Sequence, residues 1–253
     1  MVSAVQAEKR MKAAVIDRLL EGQRVDDDSV LISEMTVANW TRRADIVLAN
    51  GRLWAFEIKS EADRLVRLPG QVNTFAAHFE KLTIVVAPRF EAQVREMLPD
   101  GVGLWVEESD GCLKERVRSR ALPLKLDAAL SLMTAADLRG FLSCNGVRYI
   151  KGAPRAILEE MANEFPVVDL ANAAREAVKQ RFRRSHRAFV ERRASVGTLA
   201  AIDALRRFDQ KKAKQNDAVL PLFPLPELEL ANDHPLLFEA PAGRVLKRRL
   251  SRA

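Results

Sequence analysis

The stretch Arg43-Ala44-Asp45-Ile46-Val47, followed by Asn50-Gly51 and then Phe56-Glu57-Ile58-Lys59-Ser60, decides how the chain is read. Asn50-Gly51 between two β-rich runs is a hairpin signal. Strand side chains alternate faces, so Glu57 and Lys59 point one way while Phe56 and Ile58 point the other. Two turns compete for the hairpin. A two-residue loop at Asn50-Gly51 pairs Asp45 with Phe56 and places Asp45 on the face opposite Glu57. A three-residue loop, Ala49-Asn50-Gly51 with a left-handed Gly51 in a bulge, pairs Asp45 with Ala55 and gathers Asp45, Glu57 and Lys59 on one face. The other face is then Ile46, Leu48, Trp54, Phe56 and Ile58. That near-uniform apolar face favours the bulged turn.

Working outward, Ala4 to Leu20 places Ala7, Met11, Ala14, Val15 and Leu19 on one helical face, and Gly22 stops it. Three β-rich runs follow, Val30 to Val37, Ala44 to Ala49 and Leu53 to Ile58. Leu65 to Leu82 reads as a helix despite Pro69 and Gly70, and Leu82 to Ala87 is a continuous apolar run suited to a buried strand. Phe90 to Met97 and Val102 to Val106 add a helix and a strand. The expectation is an α/β fold, with a mixed central sheet flanked by helices and then a mainly helical C-terminal region.

A Glu and a Lys on a mostly apolar strand are costly unless something uses them. Two carboxylates about 4 Å apart repel by roughly 4 kcal/mol at an effective dielectric near 20, so a shared proton or a cation is expected between Asp45 and Glu57. A hard divalent ion with oxygen ligands, Mg²⁺ or Mn²⁺, suits a two-acid site, and Lys59 beside it could hold an attacking water or a developing phosphate charge.

The order Glu34, Asp45, Glu57-Ile58-Lys59, Gln71 resembles the PD-(D/E)XK nuclease superfamily, the restriction-endonuclease-like fold. The phrases Ile32-Ser33-Glu34, Arg43-Ala44-Asp45-Ile46, Phe56-Glu57-Ile58-Lys59-Ser60 and Arg67-Leu68-Pro69-Gly70-Gln71 look particularly like a small, poorly characterised bacterial group within it. The resemblance implies an αβββαβ core and a Mg²⁺-dependent deoxyribonuclease, a phosphodiester hydrolase of repair, defence or phage biology. Asp45 and Glu57 would be its metal ligands, Lys59 the catalytic lysine, Glu34 an additional acid and metal ligand, and Gln71 a polar helix residue facing the site. Ala44 stands where the family signature has proline, and Phe75 where related nucleases often have tyrosine. Many nucleases of this fold cut as dimers, which extends the implication to a homodimer. A catalytically inactive nucleic-acid-binding module is the alternative, since fold does not fix function.

The chain has 253 residues, 48% hydrophobic and 30% charged, with a net charge of +7. Such a composition supports a globular core and excludes collagen-like and wholly disordered readings. The charge is unevenly shared, with a net of −1 over residues 1 to 120 and +8 over the rest. This divides the chain into a nuclease-like domain at 1–120, a basic helical region at 121–214 and a Pro/Leu-rich extended tail at 215–253. DNA is the polyanion such a distribution favours. Arg43, Arg64 and Arg67 are candidate phosphate contacts near the acids. Met133 to Phe165 looks like the helix, loop, helix layout of SAP-type DNA-binding motifs, which implies Arg148, Lys151 and Arg155 on a phosphate backbone. Arg183, Arg184 and Arg187 belong to a denser basic run that offers sequence-independent affinity. In the tail, Leu220-Pro221-Leu222-Phe223 and Pro235-Leu236-Leu237-Phe238 resemble peptides that dock on bacterial sliding clamps, without their leading glutamine.

Cys112 and Cys144 make neither a disulfide framework nor a zinc site, and His78, His186 and His234 lack metal-ligand spacing. With a charged N-terminus and no apolar run of membrane-spanning length, the expectation is a cytoplasmic protein without a membrane partner.

Overall fold

The structure, a computed structural model, describes residues 4–37, 42–109 and 111–206. Six strands form one mixed sheet in sequential order: β1 (Val30–Val37), β2 (Arg42–Ala49), β3 (Leu53–Lys59), β4 (Lys81–Val86), β5 (Gly103–Glu107) and β6 (Leu113–Val117). The first three are antiparallel, β3, β4 and β5 run parallel, and β6 returns antiparallel. Helix α1 (Ala4–Glu21) precedes the sheet, α2 (Leu68–His78) crosses from β3 to β4, and α3 (Glu91–Met97) crosses from β4 to β5. Then come α4 (Leu126–Leu132), α5 (Ala135–Cys144), α6 (Arg155–Ala162), α7 (Val167–Val196) and α8 (Thr198–Ala201). The mixed sheet, its flanking helices and the helical C-terminal region are as expected from sequence. The nuclease core named by resemblance is a finer statement that this topology alone does not establish. Strand β6 and helix α4 have no counterpart in the expected elements.

Each face of the sheet has its own core. One carries Ile46, Leu48, Trp54, Phe56 and Ile58, which pack with Met11, Val15, Ile16 and Leu19 of α1. The apolar face expected on β2 and β3 is therefore the face that α1 covers. The other core runs from Val47, Ala55 and Ile84 through Val72 and Phe75 of α2 to Leu130, Leu138 and Val178 of the helical region. Strand β4 is buried on both faces, with Val85 in the first core and Ile84 and Val86 in the second. A continuous apolar run is what such a strand requires.

The hairpin differs from expectation by one residue. Ala49 pairs with Leu53, so the loop is Asn50-Gly51-Arg52 rather than Ala49-Asn50-Gly51, and the Asn50 N–H donates to the Arg52 carbonyl at 3.1 Å. Gly51 does take a left-handed φ of 84°, but from the middle of the loop. The reason lies in the core: Ala49 is 1% exposed, and keeping it paired buries one more residue of β2. Continuing this register by one residue sets Asp45 across from Glu57, not Ala55. Parity alone would put both acids on one face, as expected, but the alternation of β2 slips between Ala44 and Val47 and turns Asp45 to the α1 side, away from Glu57.

Helix α7 seals the outer edge of the sheet. The Leu31 N–H on edge strand β1 donates to His186 Nδ1 at 3.2 Å, and Phe189 enters the α1-side core. Farther along α7, the Arg175 guanidinium grips buried Glu80 at 2.9 and 3.0 Å, while Glu80 also accepts from the Leu53 N–H at 2.9 Å. Helix α5 opens with a capping box, Thr134 and Asp137 satisfying each other's backbone N–H. Helix α7 runs without interruption to Gly197, whose φ of 76° ends it. No helix among the described residues is long and apolar enough to cross a membrane. The tail tetrads at 220–223 and 235–238 lie outside the described residues.

Candidate functional site

Glu34 is where the sheet departs from regular alternation. Its φ is 62°, rare for a residue with a side chain. It sits between the paired residues Ser33↔Ile46 and Met35↔Ala44, opposite Asp45. On both strands the face slips there. Ile32 and Met35, three apart, share one core, as do Ala44 and Val47. This kink turns Glu34 and Asp45 together toward the α1 side, where α1 supplies a cation.

That cation is Lys12. Its Nζ donates to Glu34, lies 2.6 Å from Glu8 and is 3.0 Å from Asp45 Oδ1. Burial works against its charge, yet the Asp45, Glu34 and Glu8 carboxylates outweigh it and raise the lysine pKa. Asp45 Oδ2 accepts the Ile58 N–H at 2.8 Å, and Arg43 pairs with the second oxygen of Glu34. Burial pushes the Asp45 carboxyl up, with Lys12 and the Ile58 N–H opposing. Oxygens of Glu8, Glu34 and Asp45 lie within 4.8 Å of one another, a metal-like spacing, but the Lys12 ammonium already stands among them.

Glu57 is on the α2 side of the same end of the sheet. Its Oε1 accepts from Lys59 Nζ at 2.6 Å and from the Gln71 amide of α2. Its Oε2 is buried without a hydrogen-bond partner, as is Gln71 Oε1. Burial, then the Asp45 charge, lift the Glu57 pKa to about 8 against the pull of Lys59 and Gln71. A pKa raised this far favours the protonated carboxyl at neutral pH.

An open cleft of about 890 Å³ exposes this network, with Asp45, Glu57, Lys59 and Gln71 on its walls. Arg42, Arg43, Arg64 and Arg67 also line it. At Gly70 an added Cβ would come within 3.2 Å of the Arg42 guanidinium, which would have to shift by a few tenths of an ångström. Beyond β3 the chain turns on Asp63, which accepts from the Ser60 N–H at 2.8 Å and its hydroxyl at 2.6 Å, and this turn presents Arg64 and Arg67.

The structure thus brings together Glu34, Asp45, Glu57, Lys59, Gln71, Arg43, Arg64 and Arg67, with Glu34 in the network behind the cleft wall. It does not bring the C-terminal candidates to them: Arg148, Lys151, Arg155, Arg183, Arg184 and Arg187 do not line the cleft. Arg148 and Lys151 are exposed on the loop between α5 and α6. Arg155 is a structural clamp, bound to Glu159 and to the carbonyls of Met133 and Leu130, each at 2.7 Å. Arg183 reaches Asp28 at 3.2 Å, and Arg184 and Arg187 are exposed along α7. Sequence reasoning missed Lys12, Glu8 and Arg42. The available signal was Lys12 itself, a charge on the helical stripe it shares with Ile16 and Leu19.

The fold and site therefore define a mixed α/β protein with an arginine-rimmed cleft over a partly buried acid cluster built around Lys12. A family model described as Bacteriophage P4 protein cII matches residues 1–208. Protein cII of Enterobacteria phage P4 is 32% identical over 219 residues, covering 82% of this chain and 81% of that protein. The chain belongs to the phage P4 cII family. No solved structure matches it.

This membership overturns the nuclease reading. The family that matches is the phage P4 cII family, not a PD-(D/E)XK family, and the relative is a cII protein, not a Mg²⁺-dependent deoxyribonuclease. The resemblance, the hydrolase activity and its repair or defence setting are withdrawn, along with the inactive nuclease module set against them. The four phrases that carried the likeness are short, and their spacing reflects a hairpin with two facing acids, which other families can build.

Proposed function

We propose that the chain is a nucleic-acid-binding protein that seats a phosphodiester backbone, DNA in the first instance, in the arginine-rimmed cleft. The observation carrying this reading is that the acids at the back of the cleft are engaged by partners within the fold, while arginines line its rim. Glu34 is held by Lys12 and Arg43, Asp45 by Lys12 and the Ile58 N–H, and burial raises the pKa of Glu57. What lines the path of an incoming phosphate is then Arg42, Arg64, Arg67 and Lys59. Arginine forks match phosphate oxygens, and such contacts supply affinity irrespective of sequence. The exposed Arg184 and Arg187 of α7 and Arg148 of the α5–α6 loop extend the positive surface.

A Mg²⁺ or Mn²⁺ ion expected on Asp45, Glu57 and Glu34 would meet the Lys12 ammonium, which already stands among Glu8, Glu34 and Asp45, so no step of this reading runs through a metal.

Fluorescence anisotropy with a labelled duplex and a labelled single strand, across a salt series, tests the proposal. Arg64→Glu with Arg67→Glu should weaken binding and flatten the log–log salt dependence by about 0.9 for each duplex phosphate that is no longer neutralised. Absent binding at low salt, or equal affinity and slope in wild type and variant, would remove the cleft from the account.

A further inference from the structure

The opposite end of the sheet holds a second open pocket, of about 1030 Å³, where the Asn50–Arg52 loop, the start of β4 and the segment leaving β6 meet. Arg24, Arg52, Arg118 and Arg120 line it, all exposed and none in an ion pair with another described residue. Arg116 lines it too but is committed to Glu91 at 3.1 Å and Glu108 at 2.7 Å. Half-buried Lys81 forms part of the wall, its Nζ 3.4 Å from the centroid of the buried Trp54 ring, and the Arg24 guanidinium is 5.8 Å from the same ring. The ring is itself fixed: its N–H donates to Thr83 at 3.0 Å, and the Thr83 hydroxyl donates to Ser119 at 3.2 Å.

These five cations around one open volume repel one another, and among the described residues Glu115 is the carboxylate that opposes the charge at Lys81. Burial holds the Lys81 pKa below its ordinary value, and Arg24, Arg118 and Arg52 press it further down against the opposing charge of Glu115. A bound polyanion relieves that repulsion. We infer that this pocket is an anion site for a ligand carrying several phosphate groups, distinct from the cleft at the other end of β3. Phosphate suits it because arginine forks and a lysine point charge converge on a space larger than one anionic group. The site does not depend on the reading given to the cleft. Two sources share this chemistry, a small polyphosphate ligand and the backbone of a nucleic acid.

The full chain is titrated with sodium tripolyphosphate by calorimetry and with a labelled DNA duplex by anisotropy. Wild type is compared with the pocket variant Arg52→Ala/Arg118→Ala/Arg120→Ala and the cleft variant Arg64→Ala/Arg67→Ala. The pocket variant should lose on the order of tenfold or more in affinity for at least one probe, as expected when charge-assisted bonds are removed, while the cleft variant keeps its tripolyphosphate affinity. Loss confined to tripolyphosphate assigns a small polyphosphate, and loss that includes the duplex assigns a nucleic-acid backbone. If the cleft variant alone keeps wild-type duplex affinity, the cleft reading fails and the pocket stands. Wild-type affinity of the pocket variant for both probes overturns the inference. So does a wild type that binds neither probe, or an equal tripolyphosphate loss in both variants. Arg118→Glu, a single change at an exposed position, provides the same comparison should the triple variant fold poorly.

Discussion

Replacing Glu57 by Gln keeps the outline of the side chain and an acceptor for Lys59 and Gln71 while removing its titration. In the folded chain Glu57 holds its proton up to about pH 8, whereas an unfolded glutamate releases it near 4.5. Between those values the unfolded state binds fewer protons, so stability is fully present below the lower value and is lost as pH rises through the higher one. The slope is at most about 1.4 kcal/mol per pH unit, giving a ceiling of roughly 5 kcal/mol across the interval. Relaxation of Lys59 toward the charged carboxylate would trim this to roughly 3 kcal/mol or more. Urea unfolding from about pH 5 to pH 9, with a chelator present, gives the free energies for wild type and Glu57→Gln. The variant should gain on wild type steadily as pH rises, since groups that titrate alike in both proteins cancel in the difference. Parallel profiles, agreeing within about 1 kcal/mol over the whole range, would show that Glu57 is an ordinary carboxylate.

Four further outcomes follow from the same geometry. Lys12→Met should cost roughly 3 to 5 kcal/mol in urea unfolding, because Glu34 and Asp45 lose their shared partner inside the fold; a loss under about 1 kcal/mol would mean that water already screens them. Arg175→Met should cost a similar amount, about 3 kcal/mol, by leaving Glu80 buried at the junction of β4 and α7, and adding Glu80→Gln should recover part of it in a double-mutant cycle. His186 has its pKa lowered by burial and then by Arg183, and its Nδ1 must stay unprotonated to accept from Leu31. Its stabilisation is present above the unfolded histidine value near 6.5 and lost as pH falls through the lower folded value, so His186→Gln should flatten the acid limb of a thermal-melt series. Gly51→Ala should cost about 1 kcal/mol through its left-handed backbone alone, since nothing stands within 4 Å of the added methyl; an unchanged melt would mean the loop rearranges freely.

Much of the sheet was legible because its patterns are local. The bounds of β1 are those its β-rich run suggests, and the alternation along β3 separates Glu57 and Lys59 from the apolar face. Strand β6 was hidden by its place at an edge: Leu113-Lys114-Glu115-Arg116-Val117 alternates poorly and exposes its charges. The slip at Glu34 is a backbone angle, and no residue type there announces it, as glycine would have done. The basic run of α7 was legible as charge but not as contact. Asp28, Glu80 and Asp137, which hold Lys179, Arg175 and Arg181, lie far away in sequence, so only the fold could show how much of that charge is spent inside the molecule. The family was not legible at all from motif spacing, because two facing acids and a neighbouring lysine describe a hairpin end rather than a lineage.

The cost of the cluster at that hairpin end is an argument in itself. A left-handed Glu34 is strained by about 1 to 3 kcal/mol, and buried ion pairs roughly break even against apolar residues of the same size. A chain selected only for stability would place Leu or Met at Lys12 and Glu34, continuing the α1 core that begins at Met11. Instead the fold holds an ammonium among three carboxylates and buries an oxygen of a fourth acid without a partner. The result is a cleft whose inner acids are engaged within the fold and whose rim arginines are left to act. The far pocket reaches the same electrostatic end by another route, since four arginines and Lys81 meet there with scarcely a carboxylate among them. Strand β3 joins the two, with Trp54 at one end and Lys59 at the other, about 17 Å apart at the usual rise per residue. Two positive sites at opposite ends of one rigid strand can hold separate phosphates without either having to move, so their contributions to binding should add. Combining Arg64→Ala/Arg67→Ala with Arg52→Ala/Arg118→Ala/Arg120→Ala should therefore give a free-energy loss on a long duplex equal to the sum of the separate losses within about 0.5 kcal/mol. A loss well short of that sum would mean that the two ends compete for one stretch of backbone.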